Sequence, residues 1–179
     1  MTLLYRTLRN AALALAVVLP VSAWAADEHL VVPKSLTVDS SLSVEQRQAA
    51  ELAARRYDTF WNTGEEALAK AALAPNFVDM TPPPGRVQGP EGPLLASKGF
   101  RTAVPDLSCE VEQMIIAGDR VITHLHFRGH FTGHFDKLQG KGQTVDFIAT
   151  DIYRIENGRI AANWHIEDNL TLMKQLGAL

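Results

Sequence analysis

The chain has 179 residues, 46% hydrophobic and 21% charged, with a formal net charge of −3 at pH 7. A mildly acidic chain has no basic footprint for nucleic acid or anionic lipid. Its one cysteine, Cys109, excludes an internal disulfide framework, so the fold must stand on the core of what is, by length, one ordinary domain.

Residues 1–25 read as an address label. Arg6 and Arg9 precede an apolar run from Ala11 to Val21, and Ala23-Trp24-Ala25 has the small-x-small pattern of a cleavage point. The run is shorter than the roughly 20 apolar residues that span a bilayer. The expectation is a secretory signal peptide and an exported product, periplasmic or secreted, with no membrane contact after cleavage. An uncleaved anchor is the alternative. Loss of both arginines shifts the formal charge from −3 to −5. Residues 26–42 show no helical or strand period and read as a tether, poorly ordered or draped on the surface.

The domain proper is placed at 43–179. Ser43 with Gln46 three residues on is a capping-box signal, and Ala49, Leu52, Ala53, Tyr57 and Phe60 form an apolar face up to the stop at Asn62-Thr63-Gly64. A shorter helix follows over 65–73, then a strand over 76–80. Thr81-Pro82-Pro83-Pro84-Gly85 can join neither a helix nor a central strand. A third helix is expected over 90–100. From Leu107 the apolar period becomes two, giving strands over 107–116, 120–135 and 144–155, with Gly129 and Gly133 suggesting bulges in the long one. Asn157-Gly158 then marks a two-residue hairpin into Arg159–Trp164, because both central positions of a type I′ turn need positive φ. Helices first and an antiparallel meander afterwards describe an α+β domain, one curved sheet wrapped over helices.

Two clusters carry chemistry. Four of the six histidines lie in the segment His124 to His134, and His124 and His126 share one strand face, where a metal could bind with a carboxylate from Asp151 or Asp168. The alternative is imidazoles flanking a polar cavity with no metal. At the end of the last strand, His165, Glu167 and Asp168 follow Trp164. An imidazole, carboxylates and an aromatic are the parts of a small acid/base pocket, or else charges solvated at a strand end.

Several segments together resemble the SnoaL-like polyketide cyclases and related ester cyclases. They are Phe77–Gly85, Phe100–Leu107, Ala117–Val121, Gly129–Phe135, Asp151–Ile160, Trp164–Asp168 and Gln175-Leu176-Gly177. The resemblance implies the cone-shaped fold of nuclear transport factor 2, with N-terminal helices packed in a curved antiparallel sheet around an apolar funnel, and often a homodimer. It implies acid/base chemistry without metal or cofactor on a small apolar carbonyl or ester compound: cyclisation, isomerisation or hydrolysis. Asp168 takes the place of the family's acid/base residue, its pKa raised if Trp164 and Leu172 wall it in. His165, His124 and Asp151 are candidate helpers, with Trp164, Phe127, Phe131, Tyr153 and Met80 as substrate contacts. Strand alternation puts Trp164 and His165 on opposite faces, so both line one pocket only if the strand breaks there. Met80 and Phe131 stand where relatives commonly have polar residues. A non-catalytic module of the same fold, binding an apolar ligand or associating with itself, remains the rival reading.

Overall fold

The structure, a computed structural model, describes residues 29–179; the signal peptide expected at 1–25 lies outside them. The first helix, α1 (Val44–Thr63), has the capping box at both halves: the Ser43 side chain accepts from the Gln46 amide, and the Gln46 side chain accepts from the Ser43 amide. Gly64 ends it at φ 80°, a left-handed conformation that glycine adopts without a Cβ penalty. A short α2 (Glu66–Ala72) leads into β2 (Leu73–Asp79), and α3 (Glu91–Ala103) follows the proline-rich loop. The long strands are β3 (Ser108–Ala117), β4 (Arg120–Phe131), β7 (Gln143–Glu156) and β8 (Arg159–Glu167). The chain ends with α4 (Asn169–Leu176). The expected hairpin is present, with Asn157 at φ 50° and Gly158 at φ 73° between the paired Glu156 and Arg159.

The main sheet has six strands in the order β1-β3-β4-β7-β8-β2, where β1 is Leu36–Val38. Its centre is the antiparallel meander, but the two edges pair in parallel, β1 with β3 and β2 with β8. The sheet is therefore mixed rather than antiparallel. No tight turn links either edge strand to its neighbour, so local turn chemistry could not fix their direction. The tether reading also needs correction. Leu30 is buried, the Val31 amide donates to Thr59 Oγ1 at 2.9 Å, the Arg55 side chain donates to the Val31 carbonyl at 2.8 Å, and β1 extends the sheet. Backbone bonds hold this segment, and backbone leaves no hydropathy period to read.

Alternation sorts the side chains into two layers. On β4, Val121, Thr123, Leu125 and Phe127 point inward, and on β7, Val145, Phe147, Ala149, Asp151 and Tyr153 do so. The buried face of α1, including Ala53, Ala54, Tyr57 and Phe60, packs into the same core. The concave side of the sheet is thus closed by α1 on one flank and left open where the α3, α4 and proline-loop segments converge.

The long strand expected over 120–135 breaks at Thr132, whose amide, with that of Gly133, donates to the Ala103 carbonyl at 3.2 and 2.9 Å. A small second sheet follows, with β5 (His134–Phe135) paired to β6 (Leu138–Gln139). Neither glycine makes a bulge. Gly129 stays in register with Val145, and a Cβ there would lie 2.5 Å from Val104 Cγ1. At Gly133 a Cβ would lie 1.8 Å from the Thr102 carbonyl oxygen. Both are glycine because α3 and its following loop approach the strand closely. Gly133→Ala is expected to cost about 1–3 kcal/mol by overpacking, read as a lower urea midpoint with unchanged slope.

Candidate acid-base site in the cavity

The inward faces of β7 and β8, with α1, α3, α4 and the proline loop, enclose a cavity of about 470 Å³. One part is aromatic. Phe127 and Phe147 stack at 5.1 Å with 12° between planes, Phe100 meets Phe147 edge-on at 5.9 Å, and Trp61 meets Phe127 edge-on at 6.4 Å. The other part is polar and is built from Asp79, Arg86, Asp151, Asn163, His165 and Glu167.

Strand pairing brings this polar group together. Asp151 on β7 and His165 on β8 are directly opposed, and Asn163 lies two residues before His165 on the same face. Asn163 Nδ2 donates to Asp151 Oδ1 at 2.8 Å, anchoring that carboxylate, while Oδ2 has no donor among the described residues. Asp79 arrives from the far end of β2, whose parallel pairing sets it beside Asn163. His165 Nε2 then lies 3.0 and 3.1 Å from the two Asp79 oxygens, and Nδ1 lies 2.6 Å from Glu167 Oε1. With a carboxylate at each ring nitrogen, His165 is an imidazolium donating from both.

Thr81 fixes the arrangement from behind. Its hydroxyl accepts from the His165 amide at 2.8 Å and donates to the His165 carbonyl at 3.0 Å, and its amide donates to Asp79 Oδ1 at 3.1 Å. Gln88 grips the Asp79 backbone from both sides: its Oε1 accepts from the amide at 3.1 Å and its Nε2 donates to the carbonyl at 2.9 Å.

The electrostatics follow from this packing. Burial pushes the Asp151 pKa up to about 6; the Asn163 bond and the His165 charge oppose it, while Glu167 and Asp79 add to it. Burial works against charge on His165, but the Glu167 hydrogen bond and the charges of Glu167, Asp151 and Asp79 outweigh it and raise its pKa to about 9. Burial also works against the Glu167 carboxylate, yet the His165 bond and charge hold its pKa below the usual value. At neutral pH the cavity holds a fixed imidazolium beside a carboxyl that titrates near 6.

Of the residues expected from sequence, His165, Asp151 and Phe127 lie at this cavity. Asp168 does not. It is exposed and N-caps α4, its oxygens accepting from the Thr171 amide at 3.0 Å and the Thr171 hydroxyl at 2.7 Å. Those two bonds pull its pKa down rather than up. Aspartate is a preferred N-cap residue, and here the strand has already ended at Glu167. Asp168→Asn, which keeps a capping oxygen, is expected to change stability little and leave any catalysed rate in the cavity unaltered, as paired melting and rate measurements will check.

Trp164 points outward as alternation requires, with the Arg120 guanidinium 5.6 Å from its ring centre. His124 is also on the outer face, its Nδ1 2.9 Å from Thr150 Oγ1. Phe131 is wholly buried in the core, and Met80 is 47% exposed; neither lines the cavity. Tyr153 is buried beneath it and donates to Asp58 Oδ1 at 2.7 Å.

Of the other strand histidines, His126 lies 2.5 Å from Asp146 and also meets Arg128 and Glu112, and His130 lies 2.7 Å from Asp106. Among the described residues no three His, Cys, Asp or Glu side chains converge to hold a metal. Arg101 and Asp106, which flank the Ala103-Val104-Pro105 turn, do not pair with each other. Arg101 donates to the Trp61 and Leu107 carbonyls at 2.7 and 3.1 Å.

Asp79, Arg86 and Asn163 were missed as site residues. Parity along β8 pointed to Asn163 once His165 was taken as inward, but nothing local marks Asp79 or Arg86.

Comparison with solved structures finds this architecture repeatedly. A candidate polyketide cyclase from Bacillus cereus ATCC 10987 is 39% identical, with a TM-score of 0.78 over 85% of this chain and 96% of that one. TsrD from Streptomyces laurentii is 27% identical, with a TM-score of 0.66 over 78% of this chain and 100% of that one. IdmH, a candidate polyketide cyclase from Streptomyces antibioticus, is 26% identical, with a TM-score of 0.64 over 72% of this chain and 98% of that one. Comparison with curated proteins finds no match. The sequence profile of the SnoaL-like polyketide cyclases matches residues 51–176, most of the described chain, and the chain belongs to that family.

Proposed function

We propose that this chain is a cofactor-free acid/base enzyme acting on a small, flat, apolar carbonyl or ester compound. For isomerisation or ring closure it moves a proton at a carbon beside the carbonyl; for hydrolysis the same base would take a proton from the water that adds to the carbonyl as the alcohol leaves. One observation carries the reading. Asp151, its pKa pushed up to about 6, with one oxygen anchored and the other without a donor among the described residues, stands beside a carboxylate-clamped His165 in an aromatic-walled cavity. A base of that pKa is largely ionised at neutral pH yet still readily reprotonated.

In this mechanism Asp151 Oδ2 takes the carbon-bound proton, and the electron pair of that bond moves onto the carbonyl oxygen. The His165 imidazolium favours the resulting charge through its field, because both its ring N–H groups are already bonded. Asp151 then returns the proton at a second position.

The test is solvent exchange at the activated carbon of 2-tetralone in D₂O, followed by NMR. Exchange faster than in buffer, with a rate rising through an apparent pKa near 6, supports the reading. A rate equal to buffer at all pH values removes it in favour of a binding module.

For that second reading the support is the outer sheet face, where Ile115, Ile148, Ile152 and Ile166 are exposed. Such a face suits self-association as a homodimer. Export rests on the pattern of residues 1–25, and the acidic balance offers nucleic acid no basic surface.

A further inference from the structure

The proline loop brings the cavity a cation that the acid/base reading leaves without a task. Arg86 lines the polar part, with its side chain 19% exposed. It is held in place: its amide donates to the Pro83 carbonyl at 3.0 Å, and Gln88, two residues on, is fastened to the Asp79 backbone. Its guanidinium carries five N–H donors. The one contact among the described residues is from Nη1 to Asp79 Oδ2 at 3.5 Å, at the limit of a hydrogen bond. Asp79 is already shared: both its oxygens face His165 Nε2, and Oδ1 also accepts from Thr81. A largely buried, under-coordinated guanidinium on an anchored stretch of backbone is matched by a planar, two-oxygen anion.

We propose that Arg86 is the specificity-determining residue of this cavity and that it binds a carboxylate on the ligand, whose flat ring lies among Trp61, Phe100, Phe127 and Phe147. The assignment rests on the same cavity being the working site, and it changes the substrate class from a wholly apolar compound to one that joins an apolar aryl part to a carboxylate. Charge in the cavity is compatible with it. The groups facing Arg86 are Asp79 on β2, Asp151 on β7, and His165 and Glu167 on β8. The cations Arg86 and His165 balance Asp79 and Glu167, leaving Asp151 as the carboxylate that an incoming anion opposes. Asp151 is also the group that can take up a proton.

The test is calorimetric titration of the protein with 2-naphthoate and with methyl 2-naphthoate, which share the ring system and differ in charge. The acid is expected to bind about tenfold or more tightly than the ester. Arg86→Gln should weaken the acid about tenfold and leave the ester within about twofold, and Arg86→Lys should recover part of the loss. Equal affinity for acid and ester, absence of binding by either, or an equal loss of both in Arg86→Gln overturns the proposal. Naphthoate carries no exchangeable carbon-bound proton, so this result stands apart from the tetralone test. In Asp151→Asn, naphthoate binding should persist even where exchange is lost; loss of binding there counts against Arg86 as the anchor.

Discussion

Asp151→Asn is expected to lower catalysed exchange on 2-tetralone by about 10²–10⁴-fold, the range supplied by a positioned general base, while making the protein more stable. The amide keeps an oxygen for Asn163 Nδ2, so the local geometry survives. What disappears is a carboxyl that burial raises from 3.8 to about 6. Between those values the folded chain holds a proton that the unfolded chain has released. Wild-type stability therefore falls as pH rises through that window, by roughly 3 kcal/mol in all. Asp151→Asn lacks that penalty. Melting at pH 5 and pH 8 should show the variant gaining on wild type at the higher pH. A base installed for chemistry would thus be a cost to the fold. Equal exchange rates in variant and wild type would move the chemistry elsewhere, and an unchanged pH slope would mean that Asp151 is better solvated than its packing indicates.

His165→Gln carries the second large effect, and its stability change has the opposite sign. Removing the imidazolium takes their shared cation from Asp79, with only 3% of its side chain exposed, and from the partly buried Glu167. Breaking a buried pair from one side typically costs about 3–5 kcal/mol. The wild-type contribution has a clear pH signature. The His165 pKa is 6.5 ordinarily and about 9 here, so its stabilisation is fully present below 6.5 and is lost as pH rises through 9. Urea titrations at pH 6 and pH 9.5 should show a large loss in wild type and a small one in His165→Gln. Exchange should also fall, by about 10²-fold or more, as the field that favours the developing oxyanion is removed. Stability within experimental error of wild type at pH 6 would show that the two carboxylates do not depend on His165.

Much of the frame was legible because it is locally encoded. The Ser43–Gln46 box, the Gly64 stop and the Asn157-Gly158 turn each state their conformation within four residues. Parity assigned Trp164 and His165 to opposite faces, and they are on opposite faces. The family resemblance, spread over short segments in order, is matched by the profile over 51–176. The family resemblance put Asp168 in the place of the acid/base residue, but its side chain does not line the cavity. At the strand-to-helix junction its backbone turns away, and its oxygens satisfy the first turn of α4 instead.

What the sequence by itself determined was the main helices and the long strands of the meander, several of their caps and turns, and the alternation within each strand; β1 and the small β5–β6 sheet were not among them. The site was decided by pairing between strands. Carried straight through from the Asn157-Gly158 turn, the hairpin register would set Trp164 opposite Asp151. A one-residue shift between Arg154 and Ile155 sets His165 there instead, and in a period-two structure a single residue exchanges the two faces. Asp79 then reaches His165 across 86 residues of chain, brought by a parallel edge strand that no turn specifies. Hydropathy and turn chemistry act over a few residues, whereas the imidazolium between two carboxylates exists only once distant strands have packed and excluded water from it.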